Sequence, residues 1–311
     1  MKTRKSQGGV ALITALLIFA LLATLGANLS WEAYLDVRRT MTMLYHDEGS
    51  LAALGAESWV MSLLRNDAEE SETDHLGELW ALEMPVLPVE SDTIRGVLQG
   101  NIQDLNSRFN VNNLVGSNGK IDQDALDQFR RLLVAIDLDP RIAERAADWI
   151  DADQEAELSG AEDAIYSGMI PPYRTANQKL TSASELAALD GMDKATMDIL
   201  SPHITALPGR TVINVNTATG PVLRSLSDDI SAQVAESLIA EREESGFSNV
   251  ETAFSPYLGQ DEARDLRETS DFFQLKVIVQ IDTVRITYYS LLWRDAQRGF
   301  VVPIARSFGT F

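Results

Sequence analysis

Hydrophobic positions are spaced differently along successive stretches of the chain, and each spacing predicts a different element. From Val10 to Leu29 they form a nearly unbroken run: no charge interrupts it, and Thr14, Thr24 and Asn28 are its polar side chains. At ~1.5 Å per residue a helix of this length spans roughly 30 Å, the hydrocarbon thickness of a bilayer. Beyond it Trp31, Tyr34, Met41, Tyr45, Leu51, Leu54, Trp59 and Leu63 recur near helical spacing, and no proline precedes Pro85. One continuous helix, half in lipid and half amphipathic, is predicted to about Arg65.

Near the C-terminus the period falls to two. Phe273, Leu275, Val277, Val279 and Ile281 alternate with Gln274, Lys276, Ile278 and Gln280, the pattern of a half-buried strand. A second run, Val284, Ile286, Tyr288, Ser290 and Leu292, follows an Asp282-Thr283 turn, and 299–304 offers a third. An extended stretch from Thr93 to Leu105 is expected to complete an antiparallel sheet on the soluble half of the first helix. Between these regions the spacing is helical again, as in Ala125, Phe129, Leu132, Leu133 and Ile136, then Ile142, Ala146, Trp149 and Ile150. The expected fold class is α+β: a long N-terminal helix packed on an antiparallel sheet, with a large α-helical domain inserted over 112–270. Glycine and asparagine at 112–119 mark where that domain begins, and the polar stretch 262–271 marks where it ends.

Charge narrows the function. The 311 residues carry a formal charge of -20, which repels phosphate backbones, so no nucleic-acid partner is expected. Parts of the insertion, Leu186 to Met192 and Ile213 to Gly246, read like helix-hairpin-helix sequence. Their region, 182–255, holds eleven acids against four bases, which favours a structural module over a DNA-binding one. Cysteine is absent, which removes disulfides, thiolate metal sites, cysteine nucleophiles and a lipoprotein anchor. His46, His75 and His203 show no paired-ligand spacing, the 116–120 stretch lacks the spacing of a phosphate loop, and no GxSxG is present. No enzyme is expected.

Before the apolar run stand Lys2, Arg4 and Lys5 with no acid among the first nine residues, which leaves the N-terminus in the cytoplasm and sends the rest across the membrane. A secretory signal peptide would read similarly, although the apolar stretch exceeds the usual h-region of about 7 to 15 residues. The junction Gly8-Gly9-Val10 resembles the class III leader of type IV pilins and pseudopilins. That resemblance implies a leader over 1–9, cleavage between Gly9 and Val10 by prepilin peptidase, and a methylated amine on Val10. Counting from Val10, position five is Thr14, where most pilins carry glutamate. Its absence, the phrase GVALITALLI, and the segments DLNSRFNVNNL (104–114), DWIDAD (148–153), GAEDAIY (160–166) and INVNTA (213–218) together resemble the K-class minor pseudopilins of type II secretion. The resemblance covers most of the chain. It implies a transmembrane helix over 10–29, its soluble half over 30–66, a pilin-like head from 67–111 and 271–311, and a position at the pseudopilus tip. The expected partners are the I and J minor pseudopilins, other pseudopilins and the prepilin peptidase, with the body of the protein in the periplasm and its anchor in the inner membrane. A signal-anchored periplasmic protein outside any filament is the competing reading.

The densest acid cluster, Asp148, Asp151, Asp153, Glu155, Glu157, Glu162 and Asp163, contains no base. Asp151, Asp153, Glu155 and Glu162 fall at positions one, three, five and twelve of an EF-hand loop, with Ala156 where glycine usually stands. A hard cation would cancel the repulsion among them, and a solvated acidic loop is the plain alternative. The family resemblance implies calcium in this region, with Asp163 as a further ligand.

Overall fold

The computed structural model describes residues 8–90, 95–243, 245–259 and 262–309. Lys2, Arg4 and Lys5 of the expected leader lie outside the described residues. The first element is the helix α1 (Gly8–Glu70), five residues longer at its C-terminal end than the apolar spacing indicated. From Gly9 to Tyr34 every residue of α1 is exposed. Its second half buries Gly49, Ala53, Glu57, Val60 and Leu64, a stripe at spacings of three and four. Gly49 is needed for close approach, since a Cβ there would sit 2.6 Å from Ile286 Cδ1.

The stripe packs on a five-stranded antiparallel sheet. Its strands are β1 (Leu87–Glu90) and β2 (Arg95–Asp104) from the first part of the chain, then β3 (Phe272–Ile281), β4 (Val284–Asp295) and β5 (Phe300–Phe308) from its end, in spatial order β1-β2-β3-β4-β5. The alternation read at 273–281 is that of β3, whose Phe273, Leu275, Val277, Val279 and Ile281 are buried under α1 with Trp80, Leu98 and Ile102. Asp282, at φ 51, makes the two-residue turn into β4. The strand expected from 299 runs on to Phe308. The early strand begins, among the described residues, at Arg95, with Thr93 and Ile94 outside them; β1 had no sequence signal because Pro85 and Pro88 interrupt its run. Pro88 is tolerated there because β1 is an edge strand.

Glu57 is the one charge in the stripe. It accepts hydrogen bonds from the Tyr288 hydroxyl (2.8 Å), the Ser290 hydroxyl and Arg306 Nη2 (2.7 Å). Burial alone would raise its pKa, but these donors more than offset that and hold it below the usual carboxylate range.

Between β2 and β3 the chain forms the helical insertion, with its own hydrophobic cluster running from Phe109 to Leu266. Its helices are α2 (Gln123–Ala135), α3 (Ile142–Ile150), α4 (Asp163–Tyr166), α5 (Lys194–Leu200), α6 (Gly220–Ser225), α7 (Ala232–Arg242) and α8 (Val250–Phe254). The insertion also holds two pairs of parallel two-residue strands, Phe109–Asn110 with Ile204–Thr205 and Ile213–Asn214 with Leu266–Arg267, too short to leave a periodic signal. The motifs rich in asparagine form the seam around them. Asn110 bonds the backbone of Leu207 and Gly209, Asn112 that of Leu180 and Leu207, Asn113 that of Thr211, and Asn216 that of Phe247. A side-chain amide donates and accepts at once, so each does for two chain segments what a ladder does for two strands.

Candidate functional site

Asp148 closes the last turn of α3, Asp151 is that helix's C-cap, and Glu162 immediately precedes α4. The helix ends therefore fold the acidic loop back on itself. One carboxylate oxygen from each of the three lies within 4.8 Å of the others, and all three residues are buried. Asp148 accepts from the Glu157 backbone N–H (3.1 Å), and Gly160 passes so close that a Cβ there would fall 1.8 Å from Asp148 Oδ2. Among the described residues, Asp151 Oδ1 and both Glu162 oxygens have no hydrogen-bond partner, and no lysine or arginine pairs with any of the three. Buried acceptors without donors are costly unless something else supplies positive charge. Burial first, and then mutual repulsion, pushes Asp151 up to about 6 and Glu162 up to about 7; Asp148 is raised to about 6, again chiefly by burial.

Of the residues expected to hold a cation, the structure thus brings together Asp151 and Glu162. Asp153 turns its Oδ1 back onto the Glu155 N–H (2.9 Å), and Glu155 is exposed. Asp163 accepts from the N–H and hydroxyl of Thr175 (3.0 and 2.9 Å). Asp148, which linear EF-hand numbering leaves out, completes the group. The signal that could have found it is spacing at the end of a helix: Asp148 in the last turn of α3 and the C-cap Asp151 are three apart, near neighbours at the helix end. The donor set of carboxylate oxygens, left unpaired in a buried pocket, suits a hard divalent cation such as calcium.

A second group of carboxylates, which the sequence reading passed over, is Asp67, Asp74 and Glu78 at the end of α1. It is closed by Arg294 of β4, whose guanidinium meets Asp67 Oδ2 at 3.0 Å and also pairs with Asp74. Glu78 accepts from Trp80 Nε1 (2.6 Å) and the Ser71 hydroxyl (2.8 Å). Adjacent to it, Asp104 is buried and accepts from the hydroxyls of Ser270 (2.6 Å) and Thr217 and from Asn214 Nδ2 (3.1 Å). This network ties α1, the sheet and the root of the insertion together.

At the other end of the molecule Gly9 and Val10 lie in the first turn of α1, exposed. Thr14 bonds its hydroxyl to the carbonyls of Val10 (3.1 Å) and Ala11 (3.0 Å), so its polar group is satisfied within the helix and brings no charge into the apolar run. In the helix-hairpin-helix-like segment, Gly191 takes φ +74 in a turn that also receives the Arg145 guanidinium on the Asp190 carbonyl (2.7 Å).

Comparison with known proteins agrees with this architecture. The family described as "Type II secretion system (T2SS), protein K" matches residues 107–209 and again 213–266. A type II secretion system protein K of Pseudomonas aeruginosa is 36% identical over 268 residues, covering 83% of this chain and 78% of that protein. One from Aeromonas hydrophila is 28% identical over 328 residues, covering 97% of each. The crystal structure of the GspK-GspI-GspJ complex from enterotoxigenic Escherichia coli contains a chain that superposes with a TM-score of 0.75 at 23% identity, over 88% of this chain and 100% of that one. The fold is shared with that chain, and by sequence this protein belongs to the type II secretion system protein K family.

Proposed function

We propose that this chain is a non-enzymatic minor pseudopilin at the tip of the type II secretion pseudopilus, which helps start or cap the filament and supports export of folded proteins from the periplasm through the outer-membrane secretin. Val10 to Leu29 holds it in the inner membrane with the N-terminus in the cytoplasm, after prepilin peptidase cuts between Gly9 and Val10 and the new amine is methylated. The observation that carries this reading is α1 itself: one helix is exposed along its whole apolar half and buried in the head along its other half. Such a helix can pass from lipid into a filament core without refolding. Residues 67–111 and 271–311 then form the pilin-like head, and 112–270 the bulky inserted domain that would crown the filament. The partners are the I and J minor pseudopilins, as in the complex that the similar chain forms. A fragment starting at Asp36 should be soluble and should co-elute with the soluble I and J heads in gel filtration at tens of micromolar. Separate elution would remove the tip assignment.

The acidic group is the proposed calcium site of the inserted domain, held by Asp148, Asp151 and Glu162, with Asp153, Glu155 and Asp163 around its rim. It supports the reading that the three unpaired buried oxygens belong to an otherwise uncompensated negative site. Calcium there would act structurally, pinning the 151–162 loop between α3 and α4.

A further inference from the structure

The face of α1 that carries the head continues below it. Counting back from the buried Gly49 in steps of four and three gives Tyr45, Thr42, Arg38, Tyr34 and Trp31, so these residues share one side of the helix. Trp31 and Tyr34 are 61% and 48% exposed, and their rings stack with centroids 5.7 Å apart. Arg38 folds back onto Tyr34: its Nε donates to the Tyr34 hydroxyl at 3.0 Å, and its guanidinium carbon stands 5.7 Å from the ring centroid. Asp282, in the turn between β3 and β4, is close enough to act on the Arg38 charge, so the lower edge of the head overhangs this face. The acids at the same level, Glu32 and Asp36, lie on another side of the helix with Arg39, which pairs with Asp36 at 3.2 Å.

Position along the helix says what covers the face. Tyr34 stands five residues beyond Leu29, where the apolar run ends. Those residues rise roughly 7 Å, and the headgroup layer is about 5–8 Å deep on each side of the hydrocarbon. Side chains on a helix lean toward its N-terminus, and the bond to Tyr34 shows the guanidinium of Arg38 leaning that way, toward the bilayer. Two aromatic rings and a backward-leaning arginine at this depth have the chemistry of a membrane interface.

We propose that Trp31, Tyr34 and Arg38 form a lipid-headgroup site beneath the head: the Arg38 guanidinium holds a phospholipid phosphate, the two rings lie among the headgroups, and the contact fixes how far α1 stands out of the bilayer. Arginine forms charge-assisted bonds to phosphate through several N–H groups, so Tyr34 and a phosphate can be served at once. An acidic protein surface would also suit the guanidinium, but it would have to enter the space between the overhanging turn and the bilayer, where headgroups already stand. The inference rests on the reading of Val10 to Leu29 as a membrane span.

The test uses the full-length protein with Ala33→Cys, the only cysteine in the resulting chain and on the opposite side of α1 from Arg38, carrying a nitroxide label. It is reconstituted into vesicles of phosphatidylethanolamine and phosphatidylglycerol, and into vesicles of digalactosyldiacylglycerol, which has no phosphate. Label depth is read from its collision rates with oxygen and with a water-soluble nickel chelate. In phospholipid the label should sit at the headgroup level, and Arg38→Gln should move it by about 3 Å or more, two residues of helix rise. Arg39→Gln, which removes the same charge from another side, should leave it in place. In galactolipid the wild type and Arg38→Gln should give the same depth. Circular dichroism should show both variants as helical as the wild type, since both arginines are exposed. No shift in phospholipid, an equal shift from Arg39→Gln, or the same Arg38→Gln shift in both lipids would each overturn the proposal while leaving the span intact. A label as open to nickel as one in water, in both kinds of vesicle, would overturn the span and the proposal with it.

Discussion

Two groups of three carboxylates stand out among the described residues, and the protein neutralises them differently. Around Asp67, Asp74 and Glu78 the compensation is internal: Arg294 reaches Asp67 and Asp74, the Ser270 N–H adds a second donor to Asp74 Oδ2, and Trp80 and Ser71 serve Glu78, although Asp74 Oδ1 has no partner among the described residues. Around Asp148, Asp151 and Glu162 no base among the described residues forms an ion pair, and three oxygens have no hydrogen-bond partner there. The first is a buried ion-pair network that fixes where the insertion attaches. The second is a site whose balancing charge must arrive from solution, as a proton or as a metal ion. Acid content alone therefore says little; what distinguishes the two is whether the fold brings a guanidinium to the oxygens.

Removing that guanidinium should have the largest effect. Arg294→Leu leaves the buried Asp74 and the half-buried Asp67 without their guanidinium, and breaking a buried pair in this way costs about 3–5 kcal/mol. Urea unfolding of the head fragment measures it, and a loss below about 1 kcal/mol, the worth of a surface pair, would show the network to be better solvated than its burial indicates.

Calcium should come next, and should act on the other group. An ion bound only by the folded state adds RT ln(1 + [L]/Kd), roughly 2.7 kcal/mol at a hundredfold excess over Kd. Melting in millimolar calcium should exceed melting in chelator, and Asp151→Asn with Glu162→Gln should abolish the difference. Magnesium should do less, because it demands octahedral geometry and sheds water reluctantly. Gly160→Ala should weaken calcium binding too, since its Cβ would displace the Asp148 carboxylate. A chelated wild type that melts with the calcium-loaded protein would reduce the acidic loop to a solvated one.

A smaller, pH-dependent effect separates the internal network from the loop. Burial first, then the charges of Glu78 and Asp74, push Asp67 up to about 7, and burial raises Asp104 to about 6. Both folded values lie above those of the unfolded chain. The folded state then binds more protons, and its stability falls as pH rises from about 4 through 7. In saturating calcium, where the loop acids are held by the ion, melting temperature should still decline by a few degrees between pH 5 and pH 8. Asp67→Asn should flatten that decline, whereas an unchanged slope would place the titration elsewhere.

The smallest effect is expected at the residues that linear spacing singled out and the fold left outside the group. Asp153→Asn with Glu155→Gln changes exposed or self-bonded side chains, so stability in chelator should move by no more than about 0.5 kcal/mol. Most of the calcium increment should survive, and its complete loss would restore the EF-hand-like ligand set in place of Asp148, Asp151 and Glu162.

By itself the sequence determined the elements with strong periodicity. The uncharged run to Leu29 and the apolar spacing to Leu63 specify α1; the strict alternation at 273–281 specifies a strand with one buried face, because side chains on a strand can only alternate. It also determined where negative charge is concentrated. Tertiary structure alone decided which acids meet. Asp153 and Glu155 stand next to Asp151 in the chain yet face water, while Glu162, eleven positions away, is brought to it by the return of the loop past Gly160. The pairing of Arg294 with Asp67 and Asp74 spans more than two hundred residues, and no local pattern encodes it. Periodicity reports how a segment meets water, a property of neighbours along the chain. Charge compensation depends on distances through space, and those are set only when the helix, the sheet and the insertion have packed together.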